Sequence, residues 1–166
     1  MSLRTDAFDL GGLRLTSGEG RRLELATAIE PLSLAGHTYQ VEPELVPIRL
    51  DISRTTGNGY ALRLRFEATL TGPCMRCLDD AASTFAIDAR EISQPDERRE
   101  REAGRGRSKR EIERDDLVSP YIEDGVLDLK SWARDALALA LPAQLVCRED
   151  CAGLCPECGA NLNKAG

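Results

Sequence analysis

The sequence has few aromatic residues, a single histidine and no long apolar run. Phe, Tyr and Trp make up 4% of its 166 residues, so Leu, Val, Ile and Ala must supply most of the core. No stretch approaches the roughly 18 apolar residues of a membrane helix, and residues 1–12 lack the apolar run of a signal peptide. We therefore expect a cytoplasmic protein without membrane contact, whose cysteines stay reduced and serve metal or redox chemistry.

The sequence also lacks a recognisable catalytic motif. His37 stands isolated in "AGHTY", and neither a phosphate-binding G-x-x-x-x-G-K-[ST] loop nor a G-x-G-x-x-G fingerprint is present. The adjacent carboxylate pairs fall in expected loops, where such pairs are usually solvated. We therefore predict a protein that is not an enzyme. The formal net charge of −6 means that any nucleic-acid contact must use a local basic patch.

Alternating apolar and polar residues predict an antiparallel meander in the middle of the chain. Residues 46–52 and 60–70 alternate with period two, and Asn58-Gly59 between them favours a hairpin turn. Alternation resumes at Phe85, Ile87 and Ala89 after "TGPCMRCLDD". The sequence before residue 46 gives only a weak strand signal, within residues 21–39.

A helix is predicted near the C-terminus. Apolar residues of "LDLKSWARDALALALP" recur at helical spacing from Leu129 to Leu141. Asp128 is the expected N-cap, and Pro142 ends the helix.

The predicted fold class is α+β, with residues 1–166 as a single domain. It combines an antiparallel sheet or small barrel, a C-terminal helix packed through Trp132 and Leu137, and a short zinc-bound tail.

Residues 94–116 differ in composition from the rest of the chain. They carry eight basic and eight acidic side chains and almost no apolar ones, too few to offset the entropy of ordering. We expect a mobile charged loop. Its centre, residues 98–110, has seven basic residues against two acidic ones. That centre is either a solvated polyampholyte or an arm that pairs with RNA phosphates.

The tail, residues 147–163, carries four cysteines in a C-x3-C-x3-C-x2-C pattern. Four thiolates at close spacing are typical of a closed tetrahedral zinc site, which is structural because it leaves no open position. Pro156 and Gly159 favour a turn whose amides point at sulfur. We predict one structural zinc per chain, bound by Cys147, Cys151, Cys155 and Cys158.

The second C-x2-C, "CMRC", leaves two alternatives open. Cys74 and Cys77 could replace Cys147 and Cys151 as ligands, or they could be small residues of a tight turn beside a functional Arg76. The local tetrad is favoured because it closes the shortest loops. Free thiols without metal, or a redox role for Cys155 and Cys158, are the remaining hypotheses.

Arginines of the predicted strands form a second candidate site. Arg63 and Arg65 share one face of the strand 60–70, and Arg49 could join them on the solvated side of the sheet. Such a stripe either holds an RNA backbone without reading sequence or is an ordinary polar face. The residues considered for RNA binding are Arg76, Arg49, Arg63, Arg65, Arg105, Arg107, Lys109 and Arg110.

Three segments in this order resemble the bacterial and plastid YceD family. They are the "C-x-R-C-L" turn at residues 74–78, the helix segment 128–142, and "GLCPECGANLN" at residues 153–163. The resemblance covers roughly residues 40–163. It implies a role in accumulation of large-subunit (23S) ribosomal RNA, and it matches the tail cysteines to those of the family's metal-bearing members.

The sequence and the resemblance together predict a non-enzymatic accessory factor for the accumulation, processing or stability of 23S ribosomal RNA. The expected partners are ribosomal RNA or the pre-ribosomal large subunit, with ribosomal proteins or assembly factors as further candidates. The alternative is a zinc-stabilised protein–protein adaptor that makes no RNA contact, which the acidic net charge favours.

Overall fold

The computed structural model describes residues 4–95 and 117–164. These residues contain two antiparallel sheets and one α-helix. In chain order the elements are β1 (Ala7–Asp9), a 3-10 turn (Gly11–Leu13), β2 (Gly20–Thr27), β3 (Leu32–Leu34), β4 (His37–Glu42), β5 (Val46–Arg54), β6 (Tyr60–Pro73), β7 (Asp80–Ser93), β8 (Ile122–Glu123), β9 (Val126–Asp128) and α1 (Leu129–Ala140).

The predicted meander is confirmed and forms the centre of the larger sheet. β6 pairs with β7 along its whole length, from Tyr60↔Ser93 to Pro73↔Asp80. On its other side β6 pairs first with β5 and then with β4. The period-two pattern buries one face of the sheet. The apolar side chains on that face of β5 and β6 are 0–7% exposed, while the arginines between them stay in contact with solvent.

The larger sheet is open, so the barrel alternative is wrong and the sheet alternative is right. Its strand order is β2-β5-β6-β4-β3, with β7 on the second side of β6. The apolar face is covered by other elements instead of closing on itself. Trp132, Leu137 and Leu127 belong to the same buried cluster as Leu50 and Leu64.

The helix forms as predicted. Asp128 caps it, because its carboxylate accepts a 3.0 Å hydrogen bond from the Ser131 amide. Leu141 is extended, since a residue before proline avoids the helical region. Trp132 and Leu137 are 3% and 0% exposed, as the amphipathic pattern predicts. None of the helices in the described ranges is long and apolar enough to cross a bilayer.

Several short strands lie outside the predicted set. β1, β9 and β8 form a separate three-stranded sheet, and β3 pairs with β4 from Leu32↔Tyr39 to Leu34↔His37. Strands of two or three residues are too short to show a period, so the sequence carries little signal for them. Most of the predicted loop, residues 96–116, lies outside the described residues.

Candidate metal centre

The "CMRC" turn lies between the two longest strands, β6 and β7. Its ends are joined by hydrogen bonds from the Cys74 amide to the Asp79 carbonyl (2.7 Å) and from the Leu78 amide to the Cys74 carbonyl (3.0 Å). Leu78 adopts a positive φ of 62°, which closes the turn. Cys74 and Cys77 are 0% and 3% exposed, so the turn directs both thiols inward.

The C-terminal tail returns to this turn. The Met75 amide donates to the Leu145 carbonyl at 2.8 Å. The exposed Arg76 donates from Nε to Gln144 Oε1 (3.1 Å) and from Nη1 to the carbonyls of Glu149 (3.4 Å) and Cys151 (3.3 Å). These contacts hold the segment that carries Cys147 and Cys151 against the "CMRC" turn.

A close backbone contact brings the next part of the tail to the same turn. Gly153 is buried and has φ +76°, and a Cβ there would lie 3.2 Å from the Arg76 carbonyl oxygen. A side chain is therefore disfavoured both by conformation and by space. Glycine at this position lets the tail pack directly on the turn.

The result is a cluster of four thiols from two distant parts of the chain. The Sγ atoms of Cys74 and Cys151 are 3.8 Å apart, and those of Cys77 and Cys147 are 3.7 Å apart. All four sulfurs lie within 4.8 Å of one another. Cys74, Cys77 and Cys151 are buried, and Cys147 is exposed. We call this group the four-thiol cluster.

The cluster differs in membership from the predicted tail tetrad. It contains Cys147 and Cys151 from that tetrad, together with the two thiols considered as alternatives, while Cys155 and Cys158 lie outside it. The prediction relied on the low entropy cost of closing short loops. Here the folded strands β6 and β7 already bring the "CMRC" turn next to the tail. Closing the long loop between the two thiol pairs therefore costs little further entropy.

The distances in the cluster fit a tetrahedral zinc ion. With zinc–sulfur bonds of about 2.3 Å, the edge of a tetrahedron of sulfurs is about 3.8 Å, which matches the 3.8 Å and 3.7 Å sulfur–sulfur distances above. The donor set is all thiolate, which suits a soft or borderline cation. The four-thiol cluster therefore fits the zinc ion that the sequence predicts.

Hydrogen bonds to sulfur favour the thiolate at two cysteines of the cluster, Cys74 and Cys151. Burial acts most strongly on Cys74 and raises its pKa, but the amide groups of Cys77, Cys147 and Arg76 outweigh it and bring the pKa down to about 6. The Asn163 side chain, followed by weaker contributions, lowers the pKa of Cys151. Burial and the neighbouring thiols raise the pKa of Cys147 to about 12. Four thiolates thus need a cation to coexist.

Two asparagines of the tail support this arrangement by hydrogen bonds. Neither was among the predicted site residues. Asn163 donates from Nδ2 to Cys151 Sγ (3.4 Å), and its Oδ1 accepts from the Ala152 amide (2.8 Å). Asn161 accepts from the Asn163 amide (2.9 Å) and donates to Asp79 (2.9 Å). The signal in the sequence was the "N-L-N" that begins three residues after the last cysteine, since side chains that hydrogen-bond to metal ligands commonly orient them.

The strand arginines considered for RNA binding are paired with carboxylates. Arg49 donates to Glu24 at 2.8 Å, Arg63 pairs with Asp88, and Arg65 pairs with Asp51. Arg76 lies at the four-thiol cluster instead. The remaining candidates, Arg105, Arg107, Lys109 and Arg110, lie outside the described residues, and RNA binding by all eight stays a prediction.

Residues 62–166 contain the "CMRC" turn, the helix, the tail and all of β6 except its first two residues. A model of the family described as "Large ribosomal RNA subunit accumulation protein YceD" matches these residues. The chain belongs to the YceD family. The predicted family is thereby confirmed, and its name links it to accumulation of large-subunit ribosomal RNA. Membership of a metal-bearing subgroup stays a prediction.

Similar proteins occur in mycobacteria. Uncharacterized proteins of Mycobacterium tuberculosis strain H37Rv and of Mycobacterium bovis are each 32% identical over 96 residues, which is 57% of this chain and 41% of theirs. One from Mycobacterium leprae is 45% identical over 42 residues, 25% of this chain and 19% of its own. The chain thus spans less than half the length of these relatives in the match. No solved structure matches significantly.

Proposed function

We propose that the chain is a non-enzymatic accessory factor for accumulation, processing or stability of 23S ribosomal RNA in assembly of the large ribosomal subunit, acting in the cytoplasm. The observation that carries the proposal is the family match over residues 62–166. The four-thiol cluster agrees with it, because a site closed by four protein sulfurs has no open position for a substrate.

The cluster holds one structural zinc ion in this proposal, with Cys74, Cys77, Cys147 and Cys151 as ligands. Zinc bound there would cross-link the "CMRC" turn to the tail, between residues about 70 positions apart. This chain's own residues prepare the site. Arg76 holds the tail backbone, and Asn163 supplies a donor to a sulfur.

Zinc at this place would fix the end of the domain rather than contact the partner. The apolar core under the sheet is a separate cluster from the one that contains Cys74, Cys77 and Cys151. A cross-link therefore adds stability where the tail has little apolar packing of its own. We expect the tail to depend on the metal and the sheet core to tolerate its loss.

The candidate RNA surfaces are the arginine-bearing face of the sheet and the basic stretch 98–110. Five arginines and three carboxylates form two rows across β2, β5, β6 and β7. One row holds Arg22, Asp51, Arg63 and Arg90, and the other holds Glu24, Arg49, Arg65 and Asp88. The rows carry an excess of positive charge on a protein whose net charge is −6. Phosphates could replace the carboxylate partners, since exposed ion pairs are weak.

Salt-dependent binding to 23S ribosomal RNA fragments tests this function. The native chain should bind more weakly as salt rises, because each phosphate contact releases counterions. A chain lacking residues 98–110 and an Arg63→Ala/Arg65→Ala variant locate the contact. In the native host, depletion of the protein should lower mature 23S ribosomal RNA, and the native gene should restore it. Normal 23S levels after depletion would contradict the proposal.

The second candidate function is a zinc-stabilised protein–protein adaptor without RNA contact. The cross-strand ion pairs favour it, since Arg49, Arg63 and Arg65 already have carboxylate partners. An adaptor predicts co-purification with a ribosomal protein or assembly factor that survives nuclease treatment. It also predicts binding to RNA that is absent or independent of salt.

A further inference from the structure

Cys155 and Cys158 form a second thiol pair outside the four-thiol cluster. They lie in the "CPECG" turn, where the Cys155 amide donates to the Ala160 carbonyl and the Gly159 amide donates to the Cys155 carbonyl, both at 2.8 Å. Gly159 takes the positive φ (72°) that closes the turn. Backbone hydrogen bonds therefore close the turn that carries the two thiols.

The turn is anchored independently of a metal. Leu154 bridges to Asn161, and the Leu162 amide donates to the Gly153 carbonyl at 2.9 Å. Hydrogen bonding from the backbone of Cys158 and Glu157 lowers the pKa of the Cys155 thiol. Amides directed at a sulfur are the arrangement that supports bound thiolate in metal sites.

This pair faces outward, unlike the buried thiols of the cluster. Cys158 is exposed and Cys155 is half-buried. Their neighbours Pro156 and Glu157 are also exposed. Across residues 4–95 and 117–164, the four-thiol cluster is the only group of three or more close ligand side chains. The pair can thus supply two of the four ligands of a tetrahedral zinc ion. Within the described residues no third Cys, His, Asp or Glu side chain joins the pair, so a second molecule can supply the other two.

We propose that Cys155 and Cys158 are half of a second zinc site, completed by the same pair from a second copy of this chain. A second copy related by a twofold axis would present an identical exposed turn. Two such turns supply four thiolates, the set that closes a structural zinc site. The inference concerns association of the chain and does not depend on the RNA role.

Zinc titration of the full chain, with mass measured under a phosphine reductant, tests the proposal. At excess zinc we expect about 1.5 ions per chain and a dimer, since one ion closes each four-thiol cluster and one is shared. Cys155→Ser/Cys158→Ser should bind about one ion and stay monomeric. Glu157→Gln, in the same turn, should behave as the native chain.

Three results would overturn the proposal: a native chain that remains monomeric at excess zinc, a dimer that persists in Cys155→Ser/Cys158→Ser, or a dimer that forms equally without zinc. Failure of the four-thiol site has a different signature. It appears as loss of the first, tight zinc ion while zinc-dependent association through the "CPECG" turn remains.

Discussion

The two C-x2-C turns of the chain share a spacing and differ in everything around it. The "CMRC" turn connects two 14-residue strands, and its thiols are buried against the tail. The "CPECG" turn lies in the tail itself, with Cys158 exposed. The C-x2-C spacing alone shows that each turn can supply two thiolate ligands to a metal ion. Only tertiary packing shows which pair meets two further sulfurs within the same chain.

The largest expected effect comes from removing one pair at a time. Cys74→Ser/Cys77→Ser should lose the tight zinc ion, with affinity reduced on the order of a thousandfold or more, because two of four ligands are gone. The matched Cys155→Ser/Cys158→Ser should keep it. Competition with a chromophoric chelator measures both affinities. The reverse outcome would restore a tetrad that includes the "CPECG" thiols.

A core substitution should lower the stability of the apolar core without changing zinc binding at the four-thiol cluster. Trp132 is 3% exposed and stacks on Tyr121 with ring centroids 6.2 Å apart. Trp132→Ala should lower the free energy of unfolding by about 3–5 kcal/mol, while zinc stoichiometry stays the same. Urea denaturation measures the change, and Leu139→Ala, at an 86% exposed position of the same helix, is the control. Loss of zinc in Trp132→Ala would mean that the two regions fold as one unit.

Removing the donor to Cys151 should weaken zinc without abolishing it. Asn163→Ala deletes the hydrogen bond to Cys151 Sγ and the acceptor of the Ala152 amide, and losses of this kind cost about 10–100-fold in metal affinity. In the zinc-free protein the pKa of Cys151 should rise, which pH-dependent alkylation detects. Lys164→Gln, which breaks an exposed ion pair with Asp79, should leave both quantities near their native values.

The smallest expected effect concerns the charged face. Asp88→Asn breaks the exposed pair with Arg63 and should cost less than about 1 kcal/mol of stability. If the face contacts RNA, binding should tighten, because Arg63 becomes available to phosphate. Glu30→Gln, which breaks the pair with Lys130 elsewhere, is the control. Equal RNA affinity in both variants would argue against this face as the contact.

Much of the fold was predictable where the periods are long. β5, β6 and β7 each run 9–14 residues with alternating burial, and α1 shows its stripe and its Asp128 cap in the sequence. The strands β1, β3, β8 and β9 have only two or three residues. These strands form because tertiary packing holds the chain against other strands, and no local sequence pattern indicates that packing.

The candidate site was predictable in its chemistry and less so in its membership. The six cysteines predict a thiolate metal site, and both the "CMRC" turn and the tail are among the segments that resemble the family. Which four sulfurs converge depends on the contact of Met75 with Leu145 and of Gly153 with Arg76. Those contacts join residues about 70 positions apart, so loop length was a poor guide.

X-ray absorption at the zinc edge of Cys155→Ser/Cys158→Ser, loaded with one equivalent of zinc, identifies the ligands of the first zinc ion. We expect four sulfur neighbours at about 2.3 Å, as in the native chain with its first equivalent. A shell with two sulfurs and two lighter atoms, or a variant that binds no tight zinc, would contradict the assignment of Cys74, Cys77, Cys147 and Cys151.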